Sequence, residues 1–252
     1  QAAANTGSVN NANPEFDLNW PYNTGADGPG NCCSFFQPTF TMANSFRTNG
    51  GLPLLDESYN DPANELKTDM GLETSDPFTP DAGPLDPRID HSIGRRGIPY
   101  LDWMDFPGKA WIRNQPNAGP YQTKKFVYYK EDKGSLQDNS SWTPGYTAIN
   151  FPIIRFADVL LMAAEAEVEL GNLEVARGYV NQVRQRAANS PIMNGDAPAA
   201  NYVISLYPGP WADANLARNS VRFERKLELS GAGHRFFDLL RWCVAATPLN
   251  AY

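Results

Sequence analysis

Between residues 151 and 188, apolar residues at Phe156, Leu160, Ala163, Ala166 and Leu170 recur at steps of three and four. Asp158, Glu165 and Glu169 hold another face, so the spacing predicts an amphipathic helix with the first set buried. Leu173, Ala176, Val180, Val183 and Ala187 repeat the rhythm, with Glu174, Arg177, Asn181 and Arg184 expected on the wet side. Gly171 between them is suited to the left-handed conformation that ends a helix, and the Asn172 side-chain oxygen is suited to capping the next. The two helices are therefore expected to fold back on each other, and Ala157, Ala163, Ala164 and Ala166 permit close approach.

A second helical pair follows. Leu216, Phe223 and Leu227 mark an apolar stripe opposite Arg218, Arg222 and Arg225. Gly231-Ala232-Gly233 breaks it, and residues 234–242 read as a further helix burying Phe236, Leu239 and Leu240. Nothing before residue 151 is periodic over such a length. The first 40 residues are rich in Asn, Gly and Pro and carry Phe16, Trp20, Tyr22, Phe35, Phe36 and Phe40, a composition that stays ordered only when aromatic side chains anchor it. A short helix is expected over 41–47, an extended LPLL segment after Gly50-Gly51, one helical turn over 64–70 and a short strand over 124–130 (KKFVYYK). The fold class predicted is mainly α: tetratricopeptide-like helical pairs with long irregular loops and few short strands, a loop-rich segment over 1–150 and helical pairs over 151–252.

Composition narrows the functional classes. A 252-residue chain that is 42% hydrophobic builds a sizeable core, and a net charge of −7 with scattered Lys and Arg excludes the basic stripe of a nucleic-acid binder. No apolar run reaches the roughly 20 residues that span a bilayer. The chain lacks an initial Met and a secretory pattern, so it is expected to be an internal piece truncated at both ends. Cys32, Cys33 and Cys243 match neither a disulfide framework nor a zinc spacing; the adjacent pair reads as small packing residues beside Phe35 and Phe36 in preference to a strained vicinal disulfide or a reactive thiol, with no metal and no cofactor expected. The adjacent Arg95 and Arg96 need acceptors, which Asp86, Asp90, Asp102 and Asp105 lie near enough in sequence to supply. Residues 139–141 (NSS) form a glycosylation triplet in the formal sense only.

Four stretches carry a family resemblance: SFRTNGGLPLLDESYN (45–60), LDPRID with SIGRRGIPYLDW (85–103), FPIIRFADVLLMAAEA (151–166) with VNQVRQRA (180–187), and FERKLELSGAGHRFFDLLRW (223–242). In this order they resemble the SusD/RagB family of outer-membrane nutrient-binding lipoproteins of Bacteroidetes, in its central-to-C-terminal part. The resemblance implies a cell-surface protein that binds oligosaccharide or polysaccharide and delivers it to a TonB-dependent SusC-like transporter. It further implies no catalysis, and membrane attachment only through a lipid anchor on a preceding segment.

A carbohydrate site needs flat aromatic faces against sugar rings and planar polar groups for hydroxyls. Trp20, Tyr22, Trp103, Trp111, Trp142 and Tyr146 lie outside the predicted helices and are the candidate ligand-binding residues. Two other functions are open to the same residues. A glycoside hydrolase would use a pair of loop carboxylates such as Asp102 and Asp105, although pairing with Arg95, Arg96 or Lys109 accounts for both acids. A helical-repeat scaffold would bind only another protein. His91 and His234 read as hydrogen-bonded structural residues. With no ligand spacing among His and Cys, chelator treatment is expected to leave the melting temperature unchanged; a clear drop would reveal a calcium loop at Asp56, Glu57, Asn60 and Asp61.

Overall fold

The computed structural model describes residues 17–30, 32–138, 146–147, 149 and 152–246. They belong to two compact units, one formed by residues 1–153 and 187–204, the other by 154–186 and 205–252.

The first unit is held by short pieces. Its helices are α1 (Phe40–Asn44), α2 (Arg88–Ser92) and α3 (Gln115–Ala118). Two-residue strands pair antiparallel: β1 (Thr48–Asn49) with β2 (Leu52–Pro53), β3 (Ile93–Gly94) with β6 (Gln122–Thr123), β4 (Pro99–Tyr100) with β5 (Met104–Asp105), β7 (Gln137–Asp138) with β8 (Tyr146–Thr147), and β9 (Met193–Asn194) with β10 (Ala197–Pro198). The β1–β2 hairpin turns at Gly50 and Gly51, whose φ of +57° and +82° are the positive values a tight hairpin demands at both central residues.

Two expected elements are displaced. Over 64–70 there is no helical turn, because the Asn64 amide donates to the Ser58 carbonyl and Leu66 N–H to Asn44 Oδ1; the helical turn is at Ser58–Asn60. The paired strand precedes KKFVYYK, at Gln122–Thr123. After it Phe126 turns with φ +61°, and the carbonyls of Phe126 and Tyr128 accept from the indole N–H groups of Trp20 (2.9 Å) and Trp103 (3.1 Å). Side chains from elsewhere thus take the acceptors a neighbouring strand would have used. Cys32 and Cys33 are also not separate packing thiols: they form a vicinal disulfide across a cis peptide bond.

An aromatic cluster is the core of this unit, with Trp20, Tyr100, Trp103, Phe106, Trp111, Ile112, Val127 and Tyr128 buried together. The rings meet edge to face, Trp20 and Trp103 at 5.0 and 5.5 Å from Tyr128, Trp111 at 5.6 Å from Tyr100, the arrangement ring quadrupoles favour. A charged knot is buried as well. Asp90 accepts both fork hydrogens of Arg95 (2.7 and 2.8 Å) and the Tyr202 hydroxyl (2.6 Å), while Lys124 Nζ donates to the carbonyls of Asp90 and Pro99. Arg96 bonds instead to the carbonyls of Glu73, Thr74 and Asp76, and Asp102 accepts from the Lys130 and Glu131 N–H groups, so only part of the expected Arg–Asp pairing forms.

The second unit is helical: α4 (Phe156–Glu169), α5 (Leu173–Ala188), α6 (Ala214–Glu228) and α7 (His234–Arg241). Gly171, at φ +81°, closes α4, with its N–H on the Val168 carbonyl and the next N–H on that of Glu167, the paired bonds of a glycine-ended helix. The Asn172 side-chain amide turns to the Glu167 carboxylate (2.7 Å), and its backbone carbonyl accepts from Val175 and Ala176.

Ala176, Val180, Val183 and Ala187 are buried as the α5 spacing predicts. Arg184, expected on the wet side of that helix, is fully buried, and in α4 the period holds but the face is rotated. In α4 the buried line is Asp158, Leu161, Ala164 and Val168, while Phe156 and Leu170 are exposed. In α6 Phe223 and Leu227 are buried as the spacing predicts, while Leu216 is exposed and Arg225 buried; in α7 Leu239 is buried as predicted, together with Asp238, while Phe236 and Leu240 are exposed. The cause is pairing of charge. Arg225 bonds Asp158 (2.7 Å) and Asp238 (3.0 and 3.1 Å), and Arg184 bonds Glu224 (2.9 Å) with both side chains fully enclosed. Paired acids and bases occupy the seams where α4, α5, α6 and α7 meet, positions that an apolar stripe assigns to carbon. Glu165 joins them, accepting from Arg241 and from the Trp242 indole.

Leu161→Ala is expected to cost about 2–5 kcal/mol in a denaturant titration, through lost burial and a residual cavity, and Leu160→Ala clearly less. Equal losses would reject the α4 face described here. A second expectation concerns pH. Desolvation pulls Lys124 down to about 8 from its ordinary 10.5, against the upward pull of the Asp90 carboxylate. Below the folded value both states are protonated and the cost of burial is constant; between about pH 8 and 10 the unfolded state binds the extra proton, so stability from this group rises with pH. Above about pH 10 the phenols of Tyr100, Tyr121, Tyr128 and Tyr202, all pushed up by burial, reverse the sign, because the unfolded chain loses those protons first. Thermal melts over that range should show the rise, and Lys124→Met should flatten it; an unchanged slope in the variant would assign the effect elsewhere.

Candidate ligand-binding surface

The six aromatic residues expected at a ligand site do not share one environment. Trp20 is fully buried, and Trp103 and Trp111 nearly so, within the aromatic core. They anchor the loops with their indoles turned inward. Tyr22 is 38% exposed. Trp142 and the Tyr146 side chain lie outside the described residues.

What the buried tryptophans hold in place is a loop that presents other rings. Trp20 enters the core and bonds the Phe126 carbonyl, and two residues later Tyr22 N–H donates to the Trp111 carbonyl (2.9 Å). The chain returns alongside: Ser34 N–H donates to the Trp20 carbonyl and Phe35 N–H to that of Leu18, both at 2.9 Å. The buried Ser34 hydroxyl donates to Gln122 Oε1 (2.8 Å), and the Gln122 amide donates to the Asn19 carbonyl. Asn23, Ser34 and Phe36 hold φ of +54°, +58° and +54°. Left-handed backbone at non-glycine residues costs energy and persists only where surroundings over-determine it. Here those hydrogen bonds and the Trp20 anchor supply the constraint.

The product is an exposed aromatic face. Phe35 is 45% exposed and Phe36 78%. The Arg113 guanidinium carbon is 5.7 Å from the Tyr22 ring centroid and 5.1 Å from that of Phe35, within cation–π reach of both. Arg113 N–H donates to the Ser34 hydroxyl (3.4 Å), which ties the arginine backbone to the same buried serine. Of these residues the sequence pointed only to Tyr22. The surplus of loop aromatics signalled that some ring would be exposed; nothing in the spacing indicated Arg113, whose placement depends on a contact between segments about 80 residues apart.

A polar recess of about 630 Å³ opens beside Arg47 and Asp81, but the Arg47 fork is spent on Asp81 (2.8 and 2.9 Å) and on the carbonyls of Asn64 and Glu65. Asp56, in the loop named above for calcium, accepts from the Ser58 hydroxyl and N–H, the bonds that draw its carboxyl below the usual range. Among the described residues no group of three or more His, Cys, Asp or Glu side chains is placed to hold a metal, and no helix is long and apolar enough to cross a membrane.

The sequence profile of the SusD family matches residues 1–252. Two SusD-like proteins of Formosa agariphila are similar over part of the chain: P25 is 38% identical over 92 residues, 36% of this chain and 15% of that protein, and P38 is 34% identical over 100 residues, 39% of this chain and 18% of that one. The solved structure of BT4246, 21% identical, superposes with a TM-score of 0.54 over 97% of this chain and 42% of its own, a likeness of fold. Each match covers less than half of the relative's length. With helical pairs and irregular loops in the expected order and a family profile matched from one end to the other, this chain belongs to the SusD family.

Proposed function

We propose that this chain is part of a non-catalytic glycan-capture protein at the outer-membrane surface, attached there by a lipid on a preceding segment, which hands oligosaccharides to a TonB-dependent SusC-like transporter. The observation that carries the proposal is the Tyr22–Phe35 face, two partly exposed rings on a loop braced from below by Trp20, Trp111 and Ser34. Flat apolar rings beside polar side chains suit the alternating CH faces and hydroxyl edges of a sugar. Bracing lowers the entropy that binding must overcome.

Two features speak for capture over hydrolysis. Asp102 is occupied as an acceptor for two backbone N–H groups, and Asp105 stands exposed on a strand, so neither is set up as the partner of the other in acid–nucleophile chemistry. The exposed Phe156, Phe236 and Phe237 of the helical unit supply apolar surface for a protein partner, which agrees with a transporter.

Affinity electrophoresis of the full chain in gels containing different polysaccharides tests this. Tyr22→Ala and Phe35→Ala are expected to weaken retention by the cognate glycan by about 1–3 kcal/mol with the melting temperature nearly unchanged, whereas Trp20→Ala is expected to lower the melting temperature. Retention untouched by either of the first two variants would remove the face from the site, and product release from the glycan would make the protein an enzyme.

A further inference from the structure

Arg113 differs from the other arginines around it. Arg47, Arg88 and Arg95 each grip a carboxylate, and Arg96 is satisfied by three carbonyls. Among the described residues no carboxylate pairs with the Arg113 guanidinium; its side chain meets only the rings of Tyr22 and Phe35. Cation–π attraction consumes no N–H donor, so the fork that matches a planar two-oxygen anion remains available on an exposed face. In a chain of net charge −7, a guanidinium held against two rings with no carboxylate partner among the described residues is placed to receive an incoming anion.

We propose that the glycan bound at this face is acidic, and that Arg113 receives the anionic group of one sugar residue, a carboxylate or a sulfate ester, while Tyr22 and Phe35 cover the apolar face of the ring. The two functions support each other. The rings hold the guanidinium in place by cation–π contact, and a charge-assisted bond to an anion is stronger than a neutral one. The arginine in turn fixes which sugar of a chain sits on the rings. Ser34, bonded to the Arg113 backbone and held in left-handed geometry, sets the position of the cation relative to Phe35. This inference rests on the proposal that the Tyr22–Phe35 face binds glycan.

The test compares retention of the full chain by polygalacturonate and its carboxyl-reduced form, and by κ-carrageenan and its desulfated form, which separates the two anion sources. At least one acidic polymer is expected to bind about tenfold more tightly than its neutral counterpart, the worth of one charge-assisted bidentate contact. That preference should weaken as salt is raised. Arg113→Gln should abolish the preference, so that acidic and neutral forms are retained alike, while leaving the melting temperature in place. Arg113→Lys, which keeps the charge but loses the planar fork, should retain only part of it. Equal or weaker binding of both acidic polymers, no retention by any of the four, or a preference unaltered in Arg113→Gln would overturn the inference. Tyr22→Ala and Phe35→Ala separate the two levels. If they abolish retention while Arg113→Gln leaves the acidic-to-neutral ratio unchanged, the site stands and its acidity falls; if neither affects retention, the glycan face itself falls.

Discussion

Guanidinium groups placed inside the protein, each closed by a carboxylate, hold both units together. In the helical unit Arg184 meets Glu224 with both side chains enclosed, and Arg225 joins Asp158 of α4 to Asp238 of α7 from its own place on α6. In the loop-rich unit Arg95 and Asp90, with Tyr202 and Lys124, join segments that have no long strand or helix to connect them. Such pairs add little net stability over well-packed carbon, yet a single broken partner leaves a bare charge in low dielectric and costs about 3–5 kcal/mol. Their effect is therefore specificity: each pair admits one register of the elements it joins. A fold with two-residue strands and long loops has few other means of selecting a register.

The same economy operates at the proposed ligand face. Loops of Asn, Gly and Pro bury too little surface to hold a shape, so the chain inserts indoles that bond backbone carbonyls of distant segments, as Trp20 does at Phe126 and Trp103 at Tyr128. Once those anchors are set, the residues between them have little freedom. Asn23, Ser34 and Phe36 accept left-handed backbone, and Tyr22, Phe35 and Arg113 are left outside in fixed relation. The buried tryptophans thus serve as foundation for the exposed rings, which form the proposed contact surface.

Several features were legible before any coordinates. The 3.6-residue rhythm located α4 to α7, Gly171 marked the turn between α4 and α5, and Gly50-Gly51 marked a break before an extended segment, which the structure closes into a hairpin. The stripe of α5 was also assigned correctly at Ala176, Val180, Val183 and Ala187. The stripe of α4 is displaced and those of α6 and α7 only in part, with Phe223, Leu227 and Leu239 buried as the spacing predicts, because charged side chains do not all go to solvent. Asp158, Arg225, Asp238 and Glu165 instead meet partners from other helices, and the apolar Phe156, Leu216 and Phe236 are turned outward. KKFVYYK looked like a strand because its residue types suit one; its carbonyls were claimed by indoles 25 and 106 residues away.

Sequence alone determined the fold class, the glycine-ended turn at Gly171 and the family, since each depends on local periodicity or on ordered motifs of a few residues. Tertiary structure decided which acids and bases are buried, which aromatic residues are anchors and which are surface, and that Arg113 stands between Tyr22 and Phe35. Those outcomes depend on pairings across tens to hundreds of residues. A guanidinium or an indole has the same intrinsic preference at every position in the chain, and only the partner that reaches it determines whether it is buried or exposed.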